Sequence, residues 1–224
     1  MEQTGKNKDL LIGVGSKLVM IGDSVTDCGR ERPVGEGLFN ALGDGYVRQV
    51  AGLLATCAPD HRIRVVNMGT SGNTIRDLKA RWKEDVLNLK PDWLSVMIGI
   101  NDVWRQFDSP LRPEQGVPMD EYEATLYELV KSVRPFVNGV VLMTPFYIED
   151  NPADAMRARM DEYGAAVKRV APQTNCLVVD TQAAFNEALK YQHSSNLAWD
   201  RVHPNYIGHT VLAKAFLDAV GFVW

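Results

Sequence analysis

Short apolar runs alternate with stretches of helical periodicity from one end of the chain to the other. The runs predict strands at residues 18–21, 63–66, 93–98, 139–143 and 176–179. Helices are expected near residues 46–56, 75–89, 120–133, 154–170 and 181–190. This alternation is typical of a parallel sheet with helices packed on both faces. We expect one α/β domain covering residues 1–224, because no repeat or linker interrupts the pattern.

A further helix is predicted at the end of the chain. Pro204 suits its first position, and Gly221 suits the stop after its last turn. Between them the apolar residues fall on one stripe, formed by Ile207, Val211, Leu212, Ala215 and Ala219.

Polar segments that contain glycine follow three of the predicted strands. They are Gly22-Asp23-Ser24, residues 67–73 and residues 99–102. Because ligands of open parallel sheets bind beyond the carboxyl ends of the strands, we expect the three segments to share one shallow site. Residues 144–147 and the glycine-rich segment 28–45, which is expected to be a loop, can form its walls.

Ser24 is the candidate nucleophile of this site. A serine hydroxyl needs a base to remove its proton, and that base must be held in one tautomer. Asp200 and His203 are three residues apart, so both side chains can lie on one side of a turn. His203 can then donate one ring N–H to Asp200 and turn its other nitrogen toward Ser24. Pro204 disfavours the α conformation for His203, which favours a fixed loop.

Hydrogen-bond donors for a developing oxyanion are available on the same strand ends. Gly72 offers a backbone N–H that no side chain blocks, and Asn101 offers its amide group. The backbone N–H of Ser24 is a third donor. Asp23 and Asp102 are interpreted as structural: Asp23 would orient its loop, and Asp102 would bond locally to hold Asn101.

These blocks together resemble the SGNH/GDSL hydrolases, whose four motifs match Gly22-Asp23-Ser24, Gly72, Gly99-x-Asn101-Asp102 and Asp200-x-x-His203. The resemblance implies a flavodoxin-like three-layer α/β/α sandwich with a five-stranded parallel sheet. It also implies a catalytic triad of Ser24, Asp200 and His203, with an oxyanion hole formed by Ser24, Gly72 and Asn101. No Gly-x-Ser-x-Gly turn surrounds Ser24, which argues against the α/β-hydrolases.

Longer segments are similar to the intracellular acetylxylan (xylo-oligosaccharide acetyl) esterases of this family; they comprise residues 22–30, 71–74, 77–78, 99–105 and 143–147. This similarity implies a serine carboxylesterase that removes acetyl groups from acetylated xylo-oligosaccharides through an acyl-enzyme, without a cofactor. Trp104 and Tyr147 would line the acyl or sugar site. The alternative within the family is a lipase, thioesterase or lysophospholipase that acts on other small esters.

Two interpretations from other classes stay open. One is a carbohydrate-binding module without activity, which the complete set of catalytic residues argues against. The other is a metal-dependent hydrolase built on Asp200, His203 and His209, although their spacing is not that of known metal sites. Cys28, close to Ser24, is interpreted as a packed thiol because no base is obviously paired with it.

The composition limits the classes of binding partner and the cellular compartment that we expect. A net charge of −4 and a pI near 5.6 argue against nucleic-acid binding, and no apolar run is long enough to cross a membrane. The first ten residues are polar, unlike a secretory signal, and three cysteines argue against a disulfide framework. These features favour the cytoplasm.

The end of the chain suggests self-association. Phe222 and Trp224 follow the stop of the last helix, where termini are usually polar. Large aromatic side chains at this place predict a homo-oligomer interface, unless they fold back onto their own domain.

Overall fold

A five-stranded parallel sheet forms the centre of the computed structural model, which describes residues 7–224. The strand order is β2-β1-β3-β4-β5. The strands are β1 (Lys17–Gly22), β2 (Arg64–Asn67), β3 (Trp93–Met97), β4 (Gly139–Met143) and β5 (Leu177–Val179). Their positions confirm the prediction to within a residue or so at each end. Every residue of β3 and β4 is buried, as expected for central strands covered on both faces.

Helices cover both faces of this sheet in the part of the chain that the structure describes. They are α1 (Ser24–Asp27), α2 (Tyr46–Cys57), α3 (Ile75–Trp82), α4 (Ile100–Asp108), α5 (Met119–Val133), α6 (Ala155–Gln173), α7 (Thr181–Leu189) and α8 (Tyr206–Ala219). None of them is long and apolar enough to span a membrane.

The distribution of the helices follows from the handedness of the crossovers. The chain steps from β1 to β2 in one direction and then returns past β1 to β3, β4 and β5. Because such crossovers are right-handed, α2 lies on one face, and α3, α5 and α6 lie on the other. Helix α8 packs against α2 and α7, and α5 packs against α3 and α6. The predicted three-layer α/β/α sandwich is thereby confirmed.

Two helical boundaries and one whole helix differ from the prediction. Helix α8 begins at Tyr206, capped by Asn205, whose side chain accepts hydrogen bonds from two backbone N–H groups of the first turn. Pro204 therefore precedes the helix. The helix predicted over residues 75–89 ends as an α-helix at Trp82 and continues as a π-helical turn, Lys83–Leu87. Helix α4 was not predicted.

The segment of residues 28–45 is a loop, as predicted, and it packs beside the end of β2. Gly35 pairs with Asn67 as an isolated bridge. The Asn67 side chain donates hydrogen bonds to the carbonyl groups of Thr26 and Leu42, at 2.7 and 2.8 Å. One buried amide therefore fixes both α1 and the loop to the sheet.

The two aromatic residues at the end of the chain have different environments. Phe222 is buried in its own domain, so the expectation that it anchors an interface is wrong. Trp224 packs edge-on against Phe222, with ring centroids 5.0 Å apart, and it is 54% exposed. Only the second of these side chains is available to a partner.

Candidate active site

Ser24 lies at the first position of α1, directly after β1. The preceding residue, Asp23, caps this short helix, because its carboxylate accepts a hydrogen bond from the Val25 N–H at 3.0 Å. The helix ends after four residues at Cys28, which has a left-handed backbone with φ of 43°. This tight turn raises the Ser24 hydroxyl above the carboxyl end of β1, where the side chain is half-buried.

The three residues predicted as a triad form one hydrogen-bonded chain. The Ser24 Oγ lies 2.9 Å from the His203 Nε2, and the His203 Nδ1 lies 2.6 Å from the Asp200 Oδ2. The second Asp200 oxygen accepts the backbone N–H groups of Val202 and His203, at 2.9 and 2.7 Å. With its Nδ1 proton held by Asp200, His203 presents Nε2 as an acceptor for the serine proton.

The environment of Asp200 keeps its carboxyl group ionised. Partial burial would raise its pKa, but hydrogen bonds from the backbone and the ring of His203 and from the Val202 N–H lower the pKa below its usual value. An ionised carboxylate accepts the Nδ1–H and orients the imidazole.

Two of the predicted oxyanion donors lie beyond the carboxyl ends of β2 and β3, the strands on either side of β1. Gly72 follows β2, has φ of 80°, and has open space where a side chain would stand. Asn101 lies in the first turn of α4, after β3, and is almost fully buried. Its Nδ2 donates to the Asn73 carbonyl at 2.9 Å, so the amide is joined to the turn that carries Gly72.

The other end of that turn is tied to the nucleophile segment. Asp27, in α1, accepts a hydrogen bond from the Ser71 N–H at 2.9 Å. The loop after β2 is thus bound to α1 at Ser71 and to α4 at Asn73.

Asp23 and Asp102 are fully buried carboxyl groups beside the site. Asp23 caps α1, as expected for a residue that orients its loop. Asp102 accepts the Ile75 N–H at 2.9 Å and so links α4 to the start of α3; it does not bond locally to Asn101 as we expected. The Oδ2 atoms of Asp23 and Asp102 have no hydrogen-bond partner within residues 7–224. Burial raises the pKa of each carboxyl to about 7.

The two residues predicted to line the substrate site, Trp104 and Tyr147, are placed differently relative to His203: Trp104 contacts its ring, and Tyr147 is linked to the loop that carries it. Trp104 is half-buried, and its ring lies edge-on to that of His203, with centroids 5.6 Å apart. Tyr147 is also half-buried, but its backbone N–H bonds to Gln182, on α7. The next residue, Ile148, donates its N–H to the Arg201 carbonyl at 3.0 Å. Trp104 therefore borders the triad directly, whereas Tyr147 is connected through the loop that carries Asp200 and His203.

An ion pair that we did not predict from the sequence fixes the loop that carries Asp200 and His203. Arg201 has φ of 64°, and its guanidinium binds the Glu149 carboxylate at 2.6 Å. The two residues are far apart in the sequence, and Arg201 occupies a variable position of the Asp200-x-x-His203 block, so no local signal identifies them as partners.

Cys28 has a base beside it after all. Its Sγ lies 3.3 Å from the His209 Nε2, and the His209 Nδ1 accepts the Tyr46 N–H at 3.2 Å. Burial raises the pKa of the thiol to about 12 and lowers the pKa of His209 to about 4. The pair is therefore neutral and packed, and the expectation of a missing base is wrong.

Across residues 7–224, no three His, Cys, Asp or Glu side chains are grouped closely enough to hold a metal ion.

Known proteins resemble the chain over most of its length. Residues 20–211 match the model of the GDSL-like lipase/acylhydrolase family. The chain is 62% identical over 213 residues to an acetylxylan esterase of Geobacillus stearothermophilus, with 95% of this chain and 97% of that protein aligned.

Solved structures agree with this similarity. The crystal structure of Axe2, an acetylxylan esterase from the same organism, has a TM-score of 0.94 at 62% identity and covers 95% of this chain and 97% of its own. LAE5, an α/β hydrolase enzyme from the metagenome of Lake Arreo in Spain, has a TM-score of 0.93 at 55% identity and covers 95% and 98%. Catalytic mutants of Axe2 replace a serine, an aspartate or a histidine with alanine.

Proposed function

We propose, since the chain belongs to the GDSL-like lipase/acylhydrolase family, that it is a serine esterase that removes acetyl groups from acetylated xylo-oligosaccharides. The observation that carries the proposal is the hydrogen-bonded chain from Ser24 through His203 to Asp200. The serine, aspartate and histidine of the Axe2 catalytic mutants have the same order and spacing, which supports these three roles.

The reaction proceeds in two steps. The Ser24 Oγ attacks the acetyl carbonyl carbon while His203 takes its proton, and the electron pair of the carbonyl moves onto the oxygen. That oxyanion accepts hydrogen bonds from the Ser24 and Gly72 N–H groups and from the Asn101 amide. The carbonyl then re-forms, and the sugar oxygen leaves with the proton held by His203, so that Ser24 is acetylated. Water, deprotonated by His203, attacks the carbonyl carbon of this ester. The bond from that carbon to the Ser24 Oγ then breaks, His203 returns the proton to Oγ, and acetate is released.

The relatives favour an acetylated sugar over a lipid as the substrate. Both the aligned esterase and Axe2 are described as acetylxylan esterases, and Trp104 narrows the space beside His203. The decisive experiment measures acetate release from acetylated xylo-oligosaccharides by the wild type and by Ser24→Ala. Release that depends on Ser24 supports the proposal, whereas release that Ser24→Ala retains would contradict it.

A series of nitrophenyl esters tests the size of the acyl group. Acetyl esters should be hydrolysed faster than butyryl esters, and octanoyl esters scarcely at all. Rapid octanoyl hydrolysis would favour the lipase alternative.

The proposal includes a homo-oligomer in the cytoplasm. Three exposed aromatic side chains, Trp224, Trp199 and Phe39, offer apolar surface to a second copy. The cysteines Cys28, Cys57 and Cys176 are all free thiols, which suits a reducing compartment. Sedimentation of the wild type and of Trp224→Ala tests the assembly. A monomer at micromolar concentration, or an assembly that Trp224→Ala leaves unchanged, would refute the role of Trp224.

A further inference from the structure

The guanidinium of Arg81, on α3, joins the ends of two strands to the loop that carries Gly72. Its Nη2 donates to the Gly22 carbonyl at 2.8 Å, and its Nη1 donates to the Met68 carbonyl at 2.7 Å. Its Nε donates to the Asn73 Oδ1 at 2.6 Å. Gly22 ends β1, and Met68 and Asn73 lie at the start and the end of the loop after β2, so one side chain connects β1 to both ends of that loop.

Asn73 connects Arg81 to the oxyanion donors. Its side chain is held by Arg81, and its backbone carbonyl accepts the hydrogen bond from the Asn101 Nδ2 at 2.9 Å. An amide nitrogen carries two protons, so this bond fixes the plane of the Asn101 amide and leaves the second proton for a ligand. Gly72, the backbone donor, immediately precedes Asn73. Asp27 holds the turn at Ser71, before Gly72, and Arg81 holds it at Asn73, after Gly72.

The chemistry of the contacts requires an arginine. The three acceptors lie at the end of β1 and at the start and the end of the loop after β2, and a planar guanidinium has donors fixed in a fork that can reach all of them. A lysine ammonium is a compact charge on a flexible stem and has no such fork. The Arg81 side chain is mostly buried, and its remaining contact is an ion pair with Asp85 at 2.7 Å.

We infer that Arg81 is a positioning residue for the oxyanion hole: it holds Asn73 so that the Gly72 N–H and the Asn101 amide keep the geometry that the transition state needs. This inference rests on the proposed esterase function. Donors that shift by about 1 Å can reduce the rate by up to about 100-fold. Since the contact matters mainly when the oxyanion forms, the loss should appear in kcat and much less in KM.

The test compares Arg81→Met with Arg76→Met in the hydrolysis of an acetyl nitrophenyl ester. Arg76 is a matched control on the same helix, because its guanidinium also binds a carboxylate, that of Glu121, and the carbonyl of Glu114. We expect Arg81→Met to lower kcat by tens of fold with little change in KM, and Arg76→Met to stay near the wild type. Equal kcat losses in both variants, or none in Arg81→Met, would overturn the inference.

Measurement of Arg81→Met in the Asn101→Ala variant separates an effect on the position of the oxyanion donors from a general loss of stability. Once the Asn101 amide is absent, Arg81→Met should cost clearly less in kcat than it does in the wild type. If instead the kcat loss of the double variant equalled the product of the two single losses, Arg81 would act independently of Asn101, and the inference would be overturned. If Arg81→Met does not fold, Arg81→Lys serves the same comparison, since it keeps the charge and loses the fork.

Two further arms complete the design. Asp85→Asn removes the ion pair and keeps the Arg81 hydrogen bonds to Gly22, Met68 and Asn73, so it should retain most of the wild-type kcat. A loss of kcat as large as that of Arg81→Met would contradict the inference. A wild-type protein without Ser24-dependent turnover would refute the esterase proposal itself. Wild-type turnover together with an unaffected Arg81→Met would refute only the role of Arg81.

Discussion

Replacement of Asp23 by asparagine should stabilise the protein at alkaline pH. The Asp23 carboxyl is fully buried, one of its oxygens accepts the Val25 N–H, and the other has no partner within residues 7–224. Asparagine keeps an acceptor for Val25 and cannot ionise. The substitution therefore removes the buried charge and retains the cap of α1.

The magnitude follows from the pKa of the group. Burial raises the pKa of Asp23 from 3.8 to about 7. The folded state thus binds a proton more tightly than the unfolded chain, so the carboxyl reduces stability as the pH rises from about 4 to about 7. The full effect above that range is on the order of 4 kcal/mol. Between about pH 5 and about pH 8, the wild type should lose roughly 2.5 kcal/mol relative to Asp23→Asn.

Urea denaturation at the two pH values measures this difference. Asp60→Asn, at an exposed position, is the control and should follow the wild type. Asp102→Asn should behave like Asp23→Asn, because the pKa of Asp102 is raised to about 7 by the same cause. If the free-energy difference between wild type and Asp23→Asn were the same at both pH values, the buried carboxyl would have an ordinary pKa and the reasoning would be wrong.

Three further outcomes are expected for the site. Ser24→Ala and His203→Ala should each abolish nearly all esterase activity with the fold intact by circular dichroism, and Asp200→Asn should lower kcat by about 10⁴-fold, because His203 would adopt the wrong tautomer. Asn101→Ala should lower kcat by about 10²–10³-fold, roughly 2.7–4 kcal/mol, with little change in KM in steady-state kinetics. Trp104→Ala should raise the kcat/KM ratio of butyryl to acetyl esters by about tenfold, and an unchanged ratio would remove Trp104 from the acyl site.

The sequence predicted the sheet better than the helices. Each strand is a short apolar run between turn residues, and burial on both faces makes such runs recognisable. Helix α4 was missed because its first turn contains Asn101 and Asp102, two buried polar residues, where an amphipathic pattern requires apolar ones. Their carboxylate and amide bonds to α3 and to Asn73 satisfy the buried groups, and only the folded structure shows those partners.

The residues of the site also differ in this way: some can be recognised from a motif, and others only from their partners in the folded structure. Ser24, Gly72, Asn101, Asp200 and His203 stand in short motifs, so their place at strand ends could be predicted from order and spacing. Arg81 and Glu149 bind partners that are distant in the sequence, and many arginines and glutamates on helices and loops form unremarkable surface pairs. What separates Arg81 is the set of three backbone and amide oxygens around its guanidinium. A pattern along the chain carries no information about such a set.

The buried Asp23 carboxyl should also affect catalysis. Burial raises the pKa of the Asp23 carboxyl, and attraction to His203 is one of the smaller effects that lower it. An ionised Asp23 would therefore favour the positive charge that acyl transfer places on His203. Asp23→Asn should therefore be more stable and less active than the wild type above about pH 7. Its loss of kcat should be smaller than that of Asp200→Asn, because Asp200 binds the ring directly at 2.6 Å. A kcat profile from acid to alkaline pH measures both variants, and an Asp23→Asn protein with wild-type kcat at alkaline pH would show that the carboxyl serves only the turn.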